Sequence, residues 1–135
     1  MLNLFKPKKK TQKARVLVVD DEPDLLSTIE CRLKFCQCDV VTAANGKEGL
    51  DKAAAEKPDL ILLDTNMPVM NGYEMLEQLR KNPDLKNIPV IMCTALCEAE
   101  NIARASSYGI LDYVTKPFDF ADLMEKIENI LKNKD

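Results

Sequence analysis

Residues 60–68, Leu60-Ile61-Leu62-Leu63-Asp64-Thr65-Asn66-Met67-Pro68, decide how the rest of the chain is read. Four aliphatic residues run without polar interruption into Asp64, and Pro68 forbids the strand from continuing. An apolar run without the alternation of a half-solvated strand points to burial on both faces, as in a parallel sheet. Asp64 then stands at the carboxyl end of that strand, where open α/β sheets place their ligand sites. A loop aspartate that merely begins a turn has the same local signature. The choice between the two rests on the rest of the chain.

Upstream, Arg15-Val16-Leu17-Val18-Val19-Asp20 is a second aliphatic run ending in acid, followed at once by Asp21, Glu22 and Pro23. Pro23 suits the first position of a helix, where its missing N–H costs nothing, and Leu25, Leu26, Ile29 and Leu33 recur at helical spacing. Cys38 to Ala43 reads as a strand, Asn45-Gly46 as a turn, and Lys47 to Lys57 as a helix closed by Pro58. Downstream, Asn71-Gly72 starts a helix carrying Met75, Leu76 and Leu79, which ends before Asn82-Pro83. Pro89 opens a strand, Val90 to Cys93, that runs into Thr94. A weaker helix covers about 98–107, with Tyr108-Gly109 as its C-cap. Ile110 to Val114 is the fifth strand, ending at Thr115-Lys116-Pro117. Asp119 is the N-cap candidate of a last helix striped by Leu123, Met124, Ile127, Ile130 and Leu131; Phe118 and Leu123 read as core. Five strands alternating with five helices predict right-handed crossovers and a doubly wound α/β parallel sheet covered on both faces.

At 135 residues the chain is expected to be one domain with a real core. No apolar run approaches the roughly 20 residues that cross a bilayer. The opening Met-Leu-Asn-Leu-Phe is too short for a signal-peptide core and precedes the lysines instead of following them, so the cytoplasm is the expected compartment. Residues 1–14 carry five lysines (6, 8, 9, 10 and 13) and no acid, whereas the remainder carries 14 basic against 22 acidic side chains. Residues 1–14 thus read as a mobile basic arm on an acidic domain spanning 15–133. Five cysteines (31, 36, 38, 93 and 97) form no CxxC pair, and the chain has no histidine. A zinc site lacks its ligands, and the Ser-His and Cys-His nucleophile arrangements are excluded.

The chemistry lies at the strand ends. The first strand delivers Asp20 and Asp21, the third Asp64, the fourth Thr94 and the fifth Lys116. In one parallel sheet all carboxyl ends share an edge, so these residues converge despite their separation in sequence. Three adjacent carboxylates repel and force protonation of at least one unless a cation is shared. Mg²⁺ suits an all-oxygen site of one or two carboxylates completed by water and phosphate. An acid pair, a lone acid, a hydroxyl and a lysine are the parts needed for aspartyl-phosphate chemistry, with Asp as nucleophile. Taken singly, each has a structural reading: Asp20, Asp21 and Glu22 as acids at a helix N-terminus, Thr94 as a strand end, Lys116 as an exposed lysine.

Over about residues 15–133 the chain resembles a response-regulator receiver domain of the chemotaxis CheY type. The motifs are Val-Val-Asp-Asp-Glu-Pro (18–23), Leu-Leu-Asp-Thr-Asn-Met-Pro (62–68), Cys-Thr-Ala (93–95) and Tyr-Val-Thr-Lys-Pro-Phe (113–118). The resemblance implies a flavodoxin-like sheet of order 2-1-3-4-5. It implies that Asp64 accepts phosphate from a histidine kinase or histidine phosphotransferase. Mg²⁺ or Mn²⁺ would be held by Asp21 and Asp64 directly, Asp20 through water and Asn66 through its backbone carbonyl. Thr94 and Lys116 would contact the phosphoryl group, with the small Ala95 leaving room beside it. Tyr113 would be the switch aromatic, turning inward as Thr94 moves, and the Lys116–Pro117 bond would be cis. The expectation is a stand-alone receiver or one cut from a longer protein, and not an enzyme acting on other substrates. It would bind a downstream protein through the face made by the fourth helix, fifth strand and fifth helix.

Two rivals have different requirements. An aspartate-nucleophile phosphatase needs Asp-x-Asp at the nucleophile, and Asn66 stands where its proton-donating second acid belongs. A constitutive interaction module would use the receiver fold or the arm, through contact of Lys6, Lys8, Lys9 and Lys10 with an acidic partner, anionic lipid or nucleic acid. Leu2, Leu4 and Phe5 suit weak membrane contact. A solvated arm is the plainer reading, with no nucleic acid bound by the domain itself.

Overall fold

Leu60–Asp64 is the central strand of a five-stranded parallel sheet, and Leu60 to Leu63 are each no more than 1% exposed. The computed structural model describes residues 13–95, 106–110, 112–117 and 119–132. The strands are β1 (Arg15–Val19), β2 (Asp39–Ala43), β3 (Leu60–Asp64), β4 (Val90–Ala95) and β5 (Asp112–Lys116), in the order β2-β1-β3-β4-β5. The described helices are α1 (Pro23–Phe35), α2 (Gly46–Glu56), α3 (Gly72–Lys81) and α4 (Phe120–Lys132). The doubly wound architecture and the strand order match the expectation. The predicted helix over 98–107 lies outside the described residues except at its end. There the Gly109 N–H donates to the Ser106 carbonyl at 3.0 Å with φ +74°, the left-handed form that glycine adopts without penalty.

Alternation along β3 feeds two separate cores. Leu60 and Leu62 pack with Val16, Val18, Ile29, Leu33, Leu123 and Ile127, under α1 and α4. Ile61 and Leu63 pack with Leu17, Val19, Ala53, Met75, Leu76 and Leu79, under α2 and α3. Each fully buried aliphatic side chain contributes about 1.5–3 kcal/mol relative to an exposed one, so the sheet interior dominates the fold's stability. The covering helices begin where their caps stand. Pro23 occupies the first turn of α1. Asn45 accepts the Glu48 N–H at 2.9 Å at the start of α2. Asn71 and Glu74 exchange bonds of 2.9 and 3.0 Å as a capping box on α3. The Asp119 carboxylate accepts the Ala121 N–H at 2.8 Å, as expected of the cap of α4.

The fifth strand is displaced from its predicted place. It runs Asp112–Lys116 instead of 110–114, because its ladder follows β4, from Ile91 opposite Asp112 to Ala95 opposite Lys116. Ile110 packs against the α2–α3 core without joining the sheet, so hydrophobicity located it in the interior but not in the strand. Lys57, expected as the last helical residue, is instead a left-handed C-cap with φ +46°. The arm up to residue 12, Cys97 and Phe118 lie outside the described residues.

Candidate functional site

The parallel register levels the strand ends. Val19 pairs with Leu63, so Asp20 and Asp64 leave the sheet side by side. Asp64 pairs with Cys93, which puts Thr94 one step further, and Lys116 lies opposite Ala95 on the next strand. Asp20 is held by its N–H, bonded to the Ala43 carbonyl at 3.0 Å, and by its carboxylate, which accepts the Glu22 N–H at 2.9 Å. The Thr65 N–H donates to Cys93 and the Gly72 N–H to Thr65, each at 3.1 Å, tying the loop after β3 back to the sheet. Gly72 allows α3 to start against Asp64, because a Cβ there would collide with the Asp64 carbonyl oxygen.

Carboxylate oxygens of Asp20, Asp21 and Asp64 all lie within 4.8 Å of one another. Asp20 and Asp64 are buried and Asp21 is exposed, so the cluster opens to solvent on one side. The Lys116 ammonium reaches into it, 2.7 Å from Asp20 Oδ2, 3.3 Å from Asp64 Oδ1 and 3.4 Å from Glu22 Oε1. Burial and the neighbouring Asp20 charge push the Asp64 carboxyl up to about 6, although Lys116 and the Asn66 N–H both pull it down. Burial lowers the Lys116 ammonium, but its hydrogen bond to Asp20 and the charges of Asp64 and Asp20 outweigh this and raise it. One ammonium shared among three acids therefore stays charged and does not fully neutralise Asp64. A hard divalent cation suits what remains: clustered oxygen donors, an excess of negative charge and an open side for water.

Of the predicted site residues, Asp20, Asp21, Asp64 and Lys116 are brought together. Thr94 is fully buried at the adjoining position. Asn66 is exposed and offers its N–H to the Asp64 carboxylate. Tyr113 is 44% exposed on the outer strand. The Lys116–Pro117 peptide bond is cis, as the resemblance implies.

Other features had no clear signal in the sequence. Glu22, read there as a motif residue and an acid at a helix N-terminus, takes a share of the Lys116 ammonium. Val69 is 79% exposed with φ +68°, and the Met70 N–H donates to the Pro68 carbonyl across it at 2.7 Å. That three-residue turn is the rare, strained form, which a β-branched residue fits poorly. The Met70 carbonyl then accepts the Gly46 N–H at 2.9 Å, joining the loop to α2.

Comparison with known proteins gives one answer. The family model described as response regulator receiver domain matches residues 16–128. The chain is 40% identical over 92% of its length to a probable transcriptional regulator, ycf27, of Porphyra purpurea. It is 36% identical over 90% of its length to the alkaline phosphatase synthesis transcriptional regulatory protein PhoP of Bacillus subtilis. In both cases it spans about half the relative's length, 50% of each. A CheY-like response regulator receiver domain protein from Methanospirillum hungatei superimposes with a TM-score of 0.85 at 33% identity, covering 91% of this chain and 97% of that one. The acid cluster at the carboxyl edge of a 2-1-3-4-5 sheet thus sits in a chain that belongs to the response regulator receiver domain family of two-component signalling.

Proposed function

We propose that Asp64 accepts a phosphoryl group from a histidine kinase or histidine phosphotransferase, and that the modified domain changes its binding to a partner protein. The observation that carries this reading is the buried Asp64 carboxylate at a strand end, with two acids beside it and the Lys116 ammonium 3.3 Å away. With its pKa near 6, Asp64 is mostly ionised at neutral pH and available as a nucleophile. An Asp64 oxygen attacks phosphorus, the bond from phosphorus to the donor imidazole nitrogen breaks, and the imidazole leaves with that electron pair. Lys116 meets the charge on the transferred oxygens, and the Thr94 hydroxyl donates to one of them. Asp20, Asp21, Asp64 and the Asn66 backbone carbonyl would hold Mg²⁺ or Mn²⁺, which supplies charge neutralisation across the phosphoryl oxygens. Thr94 is drawn toward the phosphoryl group and Tyr113 turns inward, shifting a two-state population.

The surface changed by that shift is the outer face of β5 and α4 with the segment before β5, and a downstream protein binds there. The chemistry is confined to the domain's own aspartate, with no separate substrate turned over. A histidine phosphodonor of this class is in keeping with a cytoplasmic domain. Among the described residues no helix is long and apolar enough to cross a membrane.

Incubation with acetyl phosphate and Mg²⁺, followed by intact mass measurement, tests the assignment. The wild type is expected to gain one phosphoryl group only with Mg²⁺, and Asp64→Asn to gain none. A wild type that takes up no phosphoryl group, and shows no beryllofluoride-induced NMR shifts, would make the fold a constitutive binding surface.

A further inference from the structure

An open groove of about 750 Å³ runs along the outer side of α1 and α4, lined by Thr28, Cys31, Arg32, Phe35, Cys36 and Met124. Phe35 leaves 67% of its surface to solvent. The Arg32 guanidinium lies 4.4 Å over the Phe120 ring, bracing the two helices beside the groove. The groove therefore presents a braced apolar surface of a size that takes a few side chains.

Three observations say what covers it. The first is where the chain enters the fold. The Ala14 carbonyl accepts the Asp39 N–H at 2.9 Å, and Lys13 acts on the Cys38 thiol, which in turn neighbours Cys36 at the groove's end. The second is reach. Residues 6–12, extended, span about 23 Å at roughly 3.3 Å per residue. The groove's run along α1 from Cys36 back to Ser27 is about 14 Å at 1.5 Å per residue. The third is charge and polarity. The negative charge of Glu128 on the last helix reaches the Cys36 thiol, and the chain's start places Leu2, Leu4 and Phe5 directly before Lys6, Lys8, Lys9 and Lys10.

We propose that this groove is the docking site of the chain's own residues Leu2–Phe5, whose apolar side chains cover Phe35 and Met124 while the following lysines lie beside Glu128. This goes beyond the phosphoryl-transfer reading and stands without it.

Cys31, exposed in the groove, is the natural reporter. Its alkylation by N-ethylmaleimide is followed in the full chain by peptide mass spectrometry, which counts each cysteine separately. The comparison is with a Leu4→Asp/Phe5→Asp double variant, which keeps every lysine. Cys31 is expected to react several-fold faster in the variant, although the added acids alone would slow a thiolate reaction. Phe35→Ser, on the groove side, is expected to give the same acceleration and guards against a variant-specific artefact. Equal rates in all three proteins would overturn the proposal. So would protection that fades on dilution, which assigns the groove to a second copy. A third contrary outcome is equal Cys31 rates with tail-dependent sedimentation on phosphatidylserine vesicles, which assigns Leu2–Phe5 to lipid.

Discussion

Asp64 and Asp20 share a buried corner, and the Asp64 carboxyl titrates near 6 where an isolated one titrates at 3.8. Between those values the folded protein binds more protons than the unfolded chain. Stability therefore falls as pH rises through that window, and the full cost is present at pH 7. A shift of this size corresponds to about 3 kcal/mol. Asp64→Asn removes the charge and keeps the shape, at the cost of one of the three carboxylates around Lys116. The metal-free variant is expected to be about 1–2 kcal/mol more stable than the wild type at pH 7, with the difference closing toward pH 4. Urea denaturation at the two pH values measures this, and coincident midpoints at pH 7 would contradict it. Val69 presents a different local cost, a β-branched residue in a strained turn with its side chain in solvent, worth about 1–3 kcal/mol. Val69→Gly relieves that strain but frees the unfolded chain, so a net gain of about 1 kcal/mol is expected in thermal unfolding. A lower melting temperature would rule out the strain. The crowding of acids behind the first effect is legible at the strand ends, although the burial that contributes most to it is not, and the φ of Val69 is not legible at all, since bonds closing the loop around it set that angle.

At the scale of elements, Arg80 near the end of α3 ties together segments that have no regular structure of their own. Its guanidinium donates to the carbonyls of Tyr108 at 2.6 Å, Lys86 and Ile88 at 2.9 Å, and Gly109 at 3.3 Å. The Tyr108 hydroxyl donates to Glu77 at 3.1 Å, one turn earlier on α3. Together they fix the turn that feeds β5. Arg80→Ala is expected to destabilise the fold by about 2–3 kcal/mol, because hydrogen bonds from a charged donor are lost and carbonyls are left to find water. Arg80→Lys should recover less than half, since an ammonium cannot reproduce the fork. Chemical denaturation reads both values, and full recovery by lysine would show that charge alone suffices. The sequence marks α3 clearly through its Asn71-Gly72 start and its Met75, Leu76, Leu79 stripe, and Asp119 proved to be the cap it resembles. The clamp is invisible there because its partners lie 6 to 29 residues away. The two-residue displacement of β5 has the same origin, since the ladder with β4 and not Ile110's hydrophobicity sets where an edge strand begins.

For the molecule as a whole, the candidate site was legible because a parallel sheet turns distant strand ends into neighbours. Aliphatic runs ending in Asp20, Asp64, Thr94 and Lys116 needed only the alternation of strands and helices to be placed on one edge. What the pattern could not supply was the sharing of one ammonium among Asp20, Glu22 and Asp64. A cation bound there relieves the same repulsion throughout the fold. Mg²⁺ at ten times its Kd is expected to raise the stability of the wild type by about 1.4 kcal/mol and to do so less in Asp64→Asn. Thermal unfolding with and without a chelator checks this, and an identical rise in both proteins would place the ion elsewhere. The ion pair between Lys116 and Asp20 spans 96 residues. A polypeptide emerging from the ribosome thus exposes Asp20, and later Asp64, well before the lysine that serves them has been synthesised. The first four strands can already lie together while their acids lack that counter-charge, so any reactivity of Asp64 that needs the ammonium stays silent until translation has almost finished the domain.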